Sequence, residues 1–173
     1  MEITFRSLNN NNSEFKQLHK WCSQEFVYEW FEQRVLSYEE IVTKYTNKLN
    51  EGKQEPLIIK CDGKDIGYAQ IYKYDYKIDI KNHKNLYEYD LFIGEEKYLS
   101  KGIGTVIVNL INNMIYSKYN ADGIILRPFK RNIRAIKCYE KCNYKIIDEY
   151  EGTDTLGNPE IITVLLNEKS TNN

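Results

Sequence analysis

The sequence predicts a single-domain α/β (α+β) fold around a central sheet, and three observations carry that expectation. Two apolar runs, 56–61 and 65–74, flank Asp62-Gly63, a pair suited to the positive φ angles of a type I′ turn, so they form an antiparallel hairpin. A glycine pair, Gly102 and Gly104, then opens a stretch with no charged side chain as far as Ser117. Within it Ile103, Ile107, Leu110, Ile111 and Met114 recur with the period of a core-facing helix. The whole chain of 173 residues reads β-α-α-β-β-β-α-β-α-β-β without repeat or linker, and its 42% hydrophobic content suffices for one substantial core.

Each element has its own signal. Ile3 to Leu8 alternates apolar and polar as a strand does, and Asn9 to Ser13 supplies turn and cap residues before a helix from about Glu14 to Ser23. Trp21, Phe26, Tyr28, Trp30 and Phe31 crowd the following segment without a clean period, which suits either a loop packed on the core or the aromatic wall of a substrate pocket. Ser37-Tyr38-Glu39-Glu40 is a capping box opening a helix that runs to about Asn50 and stops near Gly52. After the hairpin, the lysine-rich stretch 75–85 reads as a loop and Leu86 to Ile93 as a strand. Gly123 to Leu126 is a buried strand that breaks at Pro128, and a helix from about Asn132 to Lys141 turns Ala135, Ile136 and Tyr139 inward. Tyr144 to Tyr150 and Ile161 to Leu166 pair across the turn residues Thr155 to Pro159. The domain is expected to span residues 1–167, with a disordered tail from Glu168 to Asn173.

Composition narrows the function. A net charge of −1 and a pI near 6.2 give no whole-protein field for nucleic acid or an anionic membrane. No apolar run approaches membrane-spanning length and the N-terminus lacks an apolar signal core, so a cytoplasmic location is expected. The four cysteines, Cys22, Cys61, Cys138 and Cys142, form no C-x-x-C pattern, which argues against a disulfide scaffold or a metal site. Cys138 and Cys142 share a helix face as small buried thiols, and neither His19 nor His83 lies in a recognisable motif.

The loop Ser100-Lys101-Gly102-Ile103-Gly104-Thr105 reads as a phosphate cradle. Its glycines allow close approach of the backbone, the following helix presents unpaired N–H groups at its positive end, no acid lies in the first turn, and Lys101 adds a positive charge. Ile107 stands where a dinucleotide G-x-G-x-x-G would end and no G-x-x-x-x-G-K-[ST] exists, so NAD and nucleoside triphosphates are not the expected ligands. Arg127, Lys130, Arg131, Arg134 and Lys137, with no acid among them between Gly123 and Tyr139, make a second basic run suited to a phosphate. Glu88, Asp90 and Phe92 share one face of their strand, where a carboxylate can bind an ammonium group and relay its proton.

The glycine loop resembles the pyrophosphate loop of the GNAT superfamily of N-acetyltransferases, with Leu99 where that pattern has Gln or Arg. Ile66-Gly67-Tyr68-Ala69-Gln70-Ile71-Tyr72, Asp90-Leu91-Phe92-Ile93-Gly94 and Asn132-Ile133-Arg134-Ala135-Ile136-Lys137-Cys138-Tyr139-Glu140-Lys141, in that order and spacing, resemble the aminoglycoside 6′-N-acetyltransferases over Leu57 to Tyr144. The resemblance implies a mixed, mostly antiparallel sheet splayed at the cofactor site and flanked by about four helices, with acetyl-CoA as cosubstrate and no metal. It also implies acetylation of the 6′-amine of aminoglycoside antibiotics, an activity that confers resistance.

Residue by residue, the resemblance makes Asp90 and Tyr139 the catalytic candidates: a carboxylate that takes the ammonium proton and a phenol that meets the leaving thiolate. Leu91, Phe92 and Ile93 would hold the pantetheine arm through their backbone, and Lys101, Gly102, Ile103, Gly104 and Thr105 the pyrophosphate, with Asn132 and Ala135 also on the cofactor. Trp30, Tyr72, Glu88, Asp90 and Arg127 are the acceptor-site candidates. Arg127 departs from the family, which commonly has Asp before that proline, so a polycation meets one acid fewer and one base more. Asp148, Glu149, Glu151 and Asp154 are candidates to compensate, and Tyr68, Tyr74, Tyr87 and Tyr89 fit either a pocket lining or ordinary sheet packing. The alternatives are the same chemistry on a polyamine, an amino sugar or a protein amine, and a non-catalytic acyl-CoA-binding module. A monomer or homodimer with a small-molecule partner, and neither nucleic acid nor membrane, is expected.

Overall fold

The computed structural model describes residues 1–75, 80 and 83–169. The strands are β1 (Ile3–Ser7), β2 (Gln54–Cys61), β3 (Lys64–Lys73), β4 (Leu86–Ile93), β5 (Gly123–Leu126), β6 (Lys145–Thr153) and β7 (Pro159–Glu168). The helices are α1 (Asn12–Cys22), α2 (Glu25–Tyr28), α3 (Tyr38–Glu51), α4 (Ile103–Tyr119) and α5 (Ile133–Glu140). One sheet of seven strands in the order β1-β2-β3-β4-β5-β7-β6 joins them, antiparallel throughout except where β4 runs parallel to β5.

The local signals act as their chemistry requires. Asp62 and Gly63 turn the β2–β3 hairpin with φ of 47° and 77°, and Ser37 and Glu40 close the capping box reciprocally at the start of α3. Gly52 ends α3 in the left-handed region at φ 64°. The Asn11 side chain caps α1 by accepting from Glu14 N–H, so the helix begins at Asn12, two residues before its expected start. The aromatic segment contains the one-turn helix α2, a fifth helix that its apolar spacing does not announce.

Two expectations change at the C-terminus. Pro159 to Glu168 is one continuous strand, so Glu168 belongs to the sheet and not to a tail, because β7 lies between β5 and β6 and is paired on both sides. The predicted loop 75–85 falls largely outside the described residues, as do 170–173 of the predicted tail.

The sheet separates two apolar layers. Ile59, Ala69, Ile71, Tyr89 and Ile93 pack with Ile103, Ile107, Ile111 and Ile115 of α4 and with Ile136 of α5 on one side. Ile58, Tyr68 and Phe92 meet Leu18 and Trp21 of α1 and Ile41 and Tyr45 of α3 on the other. The buried stripe of α4 thus centres on Ile107 and Ile111, with Leu110 at its margin.

Gly67 is where β3 approaches β4 too closely for a side chain. A Cβ there would stand 2.2 Å from the Phe92 carbonyl oxygen, and neither backbone can retreat without loss of sheet register. Gly67→Ala is therefore expected to lower stability by about 2–3 kcal/mol in urea unfolding. A change below about 0.5 kcal/mol would mean that β4 yields at Phe92.

Candidate active site

β4 has two neighbours only at its start. β5 pairs with Leu86, Tyr87 and Glu88, whereas β3 continues alongside β4 to Ile93. From Tyr89 onward the β5-facing edge of β4 has no strand partner among the described residues. A cavity of about 640 Å³ lies in this opening. Its walls are β4 from Glu88 to Ile93, the loop and first turn of α4, the 126–129 segment, α5, and Phe26 to Glu32 with Lys44.

Asp90 stands at the middle of β4 and lines the cavity. Its Oδ2 accepts from Gln70 Nε2 at 2.6 Å and from the Tyr72 hydroxyl at 3.1 Å. Gln70 is itself held, because its Oε1 accepts from Lys48 Nζ at 2.6 Å and from the Tyr68 hydroxyl at 3.0 Å. Both bonds to Asp90 fall on one oxygen, and no described side chain donates to Oδ1. Burial and then Asp90 push the Tyr72 phenol well above its ordinary range, so it acts as a neutral donor.

At the other end, the backbone N–H groups of Ile103, Gly104 and Thr105 have no acceptor among the described residues, because α4 begins at Gly102 (φ 77°) with no side-chain cap and no acid in its first turn. These N–H groups and the helix dipole suit an anion. Across from them Arg134, Lys137 and Lys141 line the cavity with no carboxylate within 4 Å among the described residues. Cys138 and Cys142 fasten this corner: the Cys138 Sγ lies 3.7 Å from the Thr105 hydroxyl and the buried Cys142 thiol donates to the Thr105 carbonyl at 3.6 Å. Burial raises the Cys142 thiol to about 11, so it stays protonated at neutral pH.

Two ion pairs occupy the acceptor half, around Asp90. Arg127 donates through Nε and an Nη to both oxygens of Glu88, each at 2.8 Å, and Glu88 is buried. Burial lifts Glu88 to about 7, against the pull of Arg127. Lys44 pairs with Glu32 on the segment after α2, and burial, with Lys48 beside it, draws the Lys44 ammonium down to about 8.

Of the residues singled out in the sequence, Asp90, Leu91, Phe92, Ile93, Gly102, Gly104, Thr105, Asn132, Ala135 and Tyr139 line the cavity together, as do Trp30, Glu88 and Arg127. Three stand differently. Ile103 is a core side chain outside the lining, Lys101 is exposed outside it, and Tyr72 acts behind Asp90. Asn132 caps α5 through Ala135 N–H at 3.2 Å. Leu99 lines the cavity and packs on the core.

The basic run divides, because Lys130 pairs with Glu149, and Arg131 with Glu29 and Glu160. The compensating acids do not reach the cavity: Glu149 faces Lys130 and Asp154 caps its own turn at Leu156 and Asn158, while Asp148 and Glu151 are exposed. Tyr68 and Tyr74 are core residues and Tyr87 stacks on Tyr119, whereas Tyr89 is a core residue that also meets the cavity. Neither histidine lines it, since His19 lies edge-on to Tyr38 and His83 faces Glu168. Gln70, Lys44 and Lys48 were missed. Lys44 and Lys48 stand i, i+4 beside the buried Ile41 and Tyr45, a like-charge pair that signals an acidic neighbour.

Among the described residues no cluster of His, Cys, Asp and Glu suits a metal ion, and no helix is long and apolar enough to cross a membrane.

The fold is that of acetyltransferases. It matches the crystal structure of aminoglycoside acetyltransferase AAC(6′)-Ib in complex with coenzyme A and kanamycin with a TM-score of 0.80 at 21% identity, over 97% of this chain and 95% of the other. The spermidine N-acetyltransferase of Vibrio cholerae, solved with CoA and spermine, gives 0.78 at 14% identity over 96% and 95%. An aminoglycoside N(6′)-acetyltransferase type 1 of Klebsiella pneumoniae is 25% identical over 160 residues, 88% of this chain and 77% of that protein. A family model described as an acetyltransferase (GNAT) domain matches residues 10–151, and the chain belongs to that family.

The Glu88–Arg127 pair makes stability depend on pH. A carboxyl whose folded pKa is raised favours the folded state at low pH, and that contribution is lost as pH rises from about 4.5 toward about 7. Arg127 limits the loss by pairing with the carboxylate. Arg127→Leu removes the group that holds the Glu88 carboxyl down, so at pH 8 Glu88 must either stand charged and unpaired or take up a proton, at a cost expected to be about 3–5 kcal/mol, and clearly less at pH 5, where it is already protonated. Urea unfolding at both pH values checks this. Equal losses would show that the pair is not the source.

Proposed function

We propose that this acetyltransferase moves the acetyl group of acetyl-coenzyme A to a primary amine of a small molecule, and that the 6′-amine of an aminoglycoside is the acceptor, an activity that confers resistance. The observation that carries the reading is the joining of three features in one cavity: an open main-chain edge on β4, unpaired N–H groups at the start of α4, and Asp90 between them and the aromatic wall. The relatives named for aminoglycoside acetylation support the choice of acceptor.

The residues present fit the coenzyme. Ile103, Gly104 and Thr105 would hold its pyrophosphate by their N–H groups, with Arg134 and Lys137 on other phosphate oxygens. Main-chain groups of Leu91 to Ile93 would pair with the pantetheine amides as an added strand and offer an N–H to the thioester carbonyl. Acetyl-coenzyme A, when bound, supplies a thioester as acyl donor.

Asp90 Oδ1 would accept the proton of an incoming ammonium, directly or through water, while Oδ2 is held by Gln70 and Tyr72. Burial, and Cys138 beside it, keep the Tyr139 phenol well above its ordinary range and therefore protonated, so its hydroxyl has a proton to donate where the thiolate departs. Trp30 and Phe31 offer flat apolar faces to a ring substrate. A second reading, acetylation of a less highly charged amine such as an amino sugar, is favoured by the Glu88–Arg127 pair, which neutralises an acid inside the acceptor half.

Free thiol release from acetyl-coenzyme A, followed with and without an aminoglycoside, tests the reading. Amine-dependent release is expected, and Asp90→Asn should lower kcat by about 10²–10³-fold while coenzyme affinity stays within about threefold. An Asp90→Asn enzyme with near-normal kcat would remove the base from Asp90. Coenzyme binding without release for any amine would point to a non-catalytic binding module.

A further inference from the structure

The acceptor half of the cavity is more nearly neutral than a binding site for a polycation should be. Its lining carries three carboxylates, Glu32, Glu88 and Asp90, and two cations, Lys44 and Arg127. At most one net negative charge is left. Glu88 is bound through both oxygens by Arg127, and Glu32 is in contact with the Lys44 ammonium, so each of these acids already has a resident cation. Of the three acids Asp90 is the one without a cation paired to it among the described residues, and behind it Lys48, through Gln70, adds positive charge. The rim repeats the pattern, with Arg131 lying 4.8 Å from the Trp30 ring and paired with Glu29 and Glu160.

An incoming molecule with one ammonium can place it at Asp90 and leave both pairs intact. A second ammonium on the same ring has no carboxylate to meet unless it displaces Lys44 or Arg127, and the displaced cation would then be left in a half-buried cleft without its partner. The neutral groups that line this half, the faces of Trp30 and Phe31, suit the flat face of a sugar ring.

We propose that the site is built for an amine whose reacting ring carries a single ammonium among hydroxyl groups, and that Lys44, held by Glu32, is a specificity residue that excludes a second ammonium from that ring. This rests on the amine-acetylating reading above. Among aminoglycosides it selects those whose reacting ring bears one amine, any further amines lying on rings that stay in solvent.

The test compares two acceptors that differ only in the second amine, a 6-amino-6-deoxyglucoside and its 2,6-diamino-2,6-dideoxy counterpart, by kcat/KM at pH 7, with spermidine as a linear polycation. The native enzyme is expected to favour the monoamine by about tenfold or more over either polycation. Lys44→Gln frees Glu32 and should reduce that ratio about tenfold, Lys44→Arg should preserve it, and Glu32→Gln combined with Lys44→Gln should restore it, since the freed acid is then gone. Coenzyme affinity, read in parallel, separates a change of preference from a damaged fold.

A native preference for the diamine or spermidine, or a ratio that stays within twofold in Lys44→Gln, overturns the inference and leaves amine acetylation standing. No thiol release with any amine, despite coenzyme binding, overturns both.

Discussion

Beyond Glu88 the main chain of β4 keeps, among the described residues, a strand neighbour on one side only. Buried peptide groups need partners, so a strand edge that faces a cavity must be answered by water or by a ligand with amides of its own. The cause lies in the short β5, four residues long and paired with β7 along its whole length, after which the chain stays with β7, Phe129 bridging Ile162 and the Pro128 carbonyl accepting from Thr163 N–H, while Pro128 has no N–H to donate. Arg127, between that strand and the proline, reaches back to Glu88, the last residue of β4 that β5 pairs. The bidentate pair therefore sits at the fork and ties together the two strands that separate there.

The alternation of β4 then divides the labour. Tyr89 and Ile93 belong to the layer under α4, whose first turn carries the unpaired N–H groups, while Glu88, Asp90 and Phe92 face the layer that includes α1 and α3. One strand thus supplies the open edge for an acyl carrier and, from its other residues, the acid for an acceptor. The chain from Lys48 and Tyr68 through Gln70 to Asp90 is anchored on α3 and β3, elements with large buried faces, which fixes one carboxylate oxygen and leaves the other to the cavity. Function here depends on packing at some distance, since the helix that closes the acceptor side is positioned by Ile41 and Tyr45 against the sheet.

Features whose chemistry is local were legible in the sequence. Asp62-Gly63 and Ser37 with Glu40 are complete within four residues, and the apolar period of α4 extends over many turns, so neighbours in sequence were enough. The one-turn α2 was not legible, because a single turn has no period and its aromatic residues pack in several directions. The lining residues of β4 and α5 could be placed from motif order, yet their pairings could not. Arg127 and Glu88 were each read as acceptor-site residues, but that one neutralises the other depends on the parallel register of β4 and β5. Lys44 escaped altogether, since its partner Glu32 lies in the irregular segment before α3, and only the unusual spacing of Lys44 and Lys48 hinted at an acid nearby. The basic run before Tyr139 looked uniform in sequence, whereas the fold assigns Lys130 and Arg131 to surface acids and leaves Arg134 and Lys137 at the cavity.

Amide hydrogen exchange with and without saturating acetyl-coenzyme A addresses the open edge of β4 most directly, because it reads the backbone groups themselves. Exchange at residues 89–93 and at 103–105 should slow by about tenfold or more on binding, with the outer strands β1 and β6 unchanged. Binding that protects neither segment, or protects only surfaces away from β4 and α4, would contradict the assignment of the parted strands to the coenzyme.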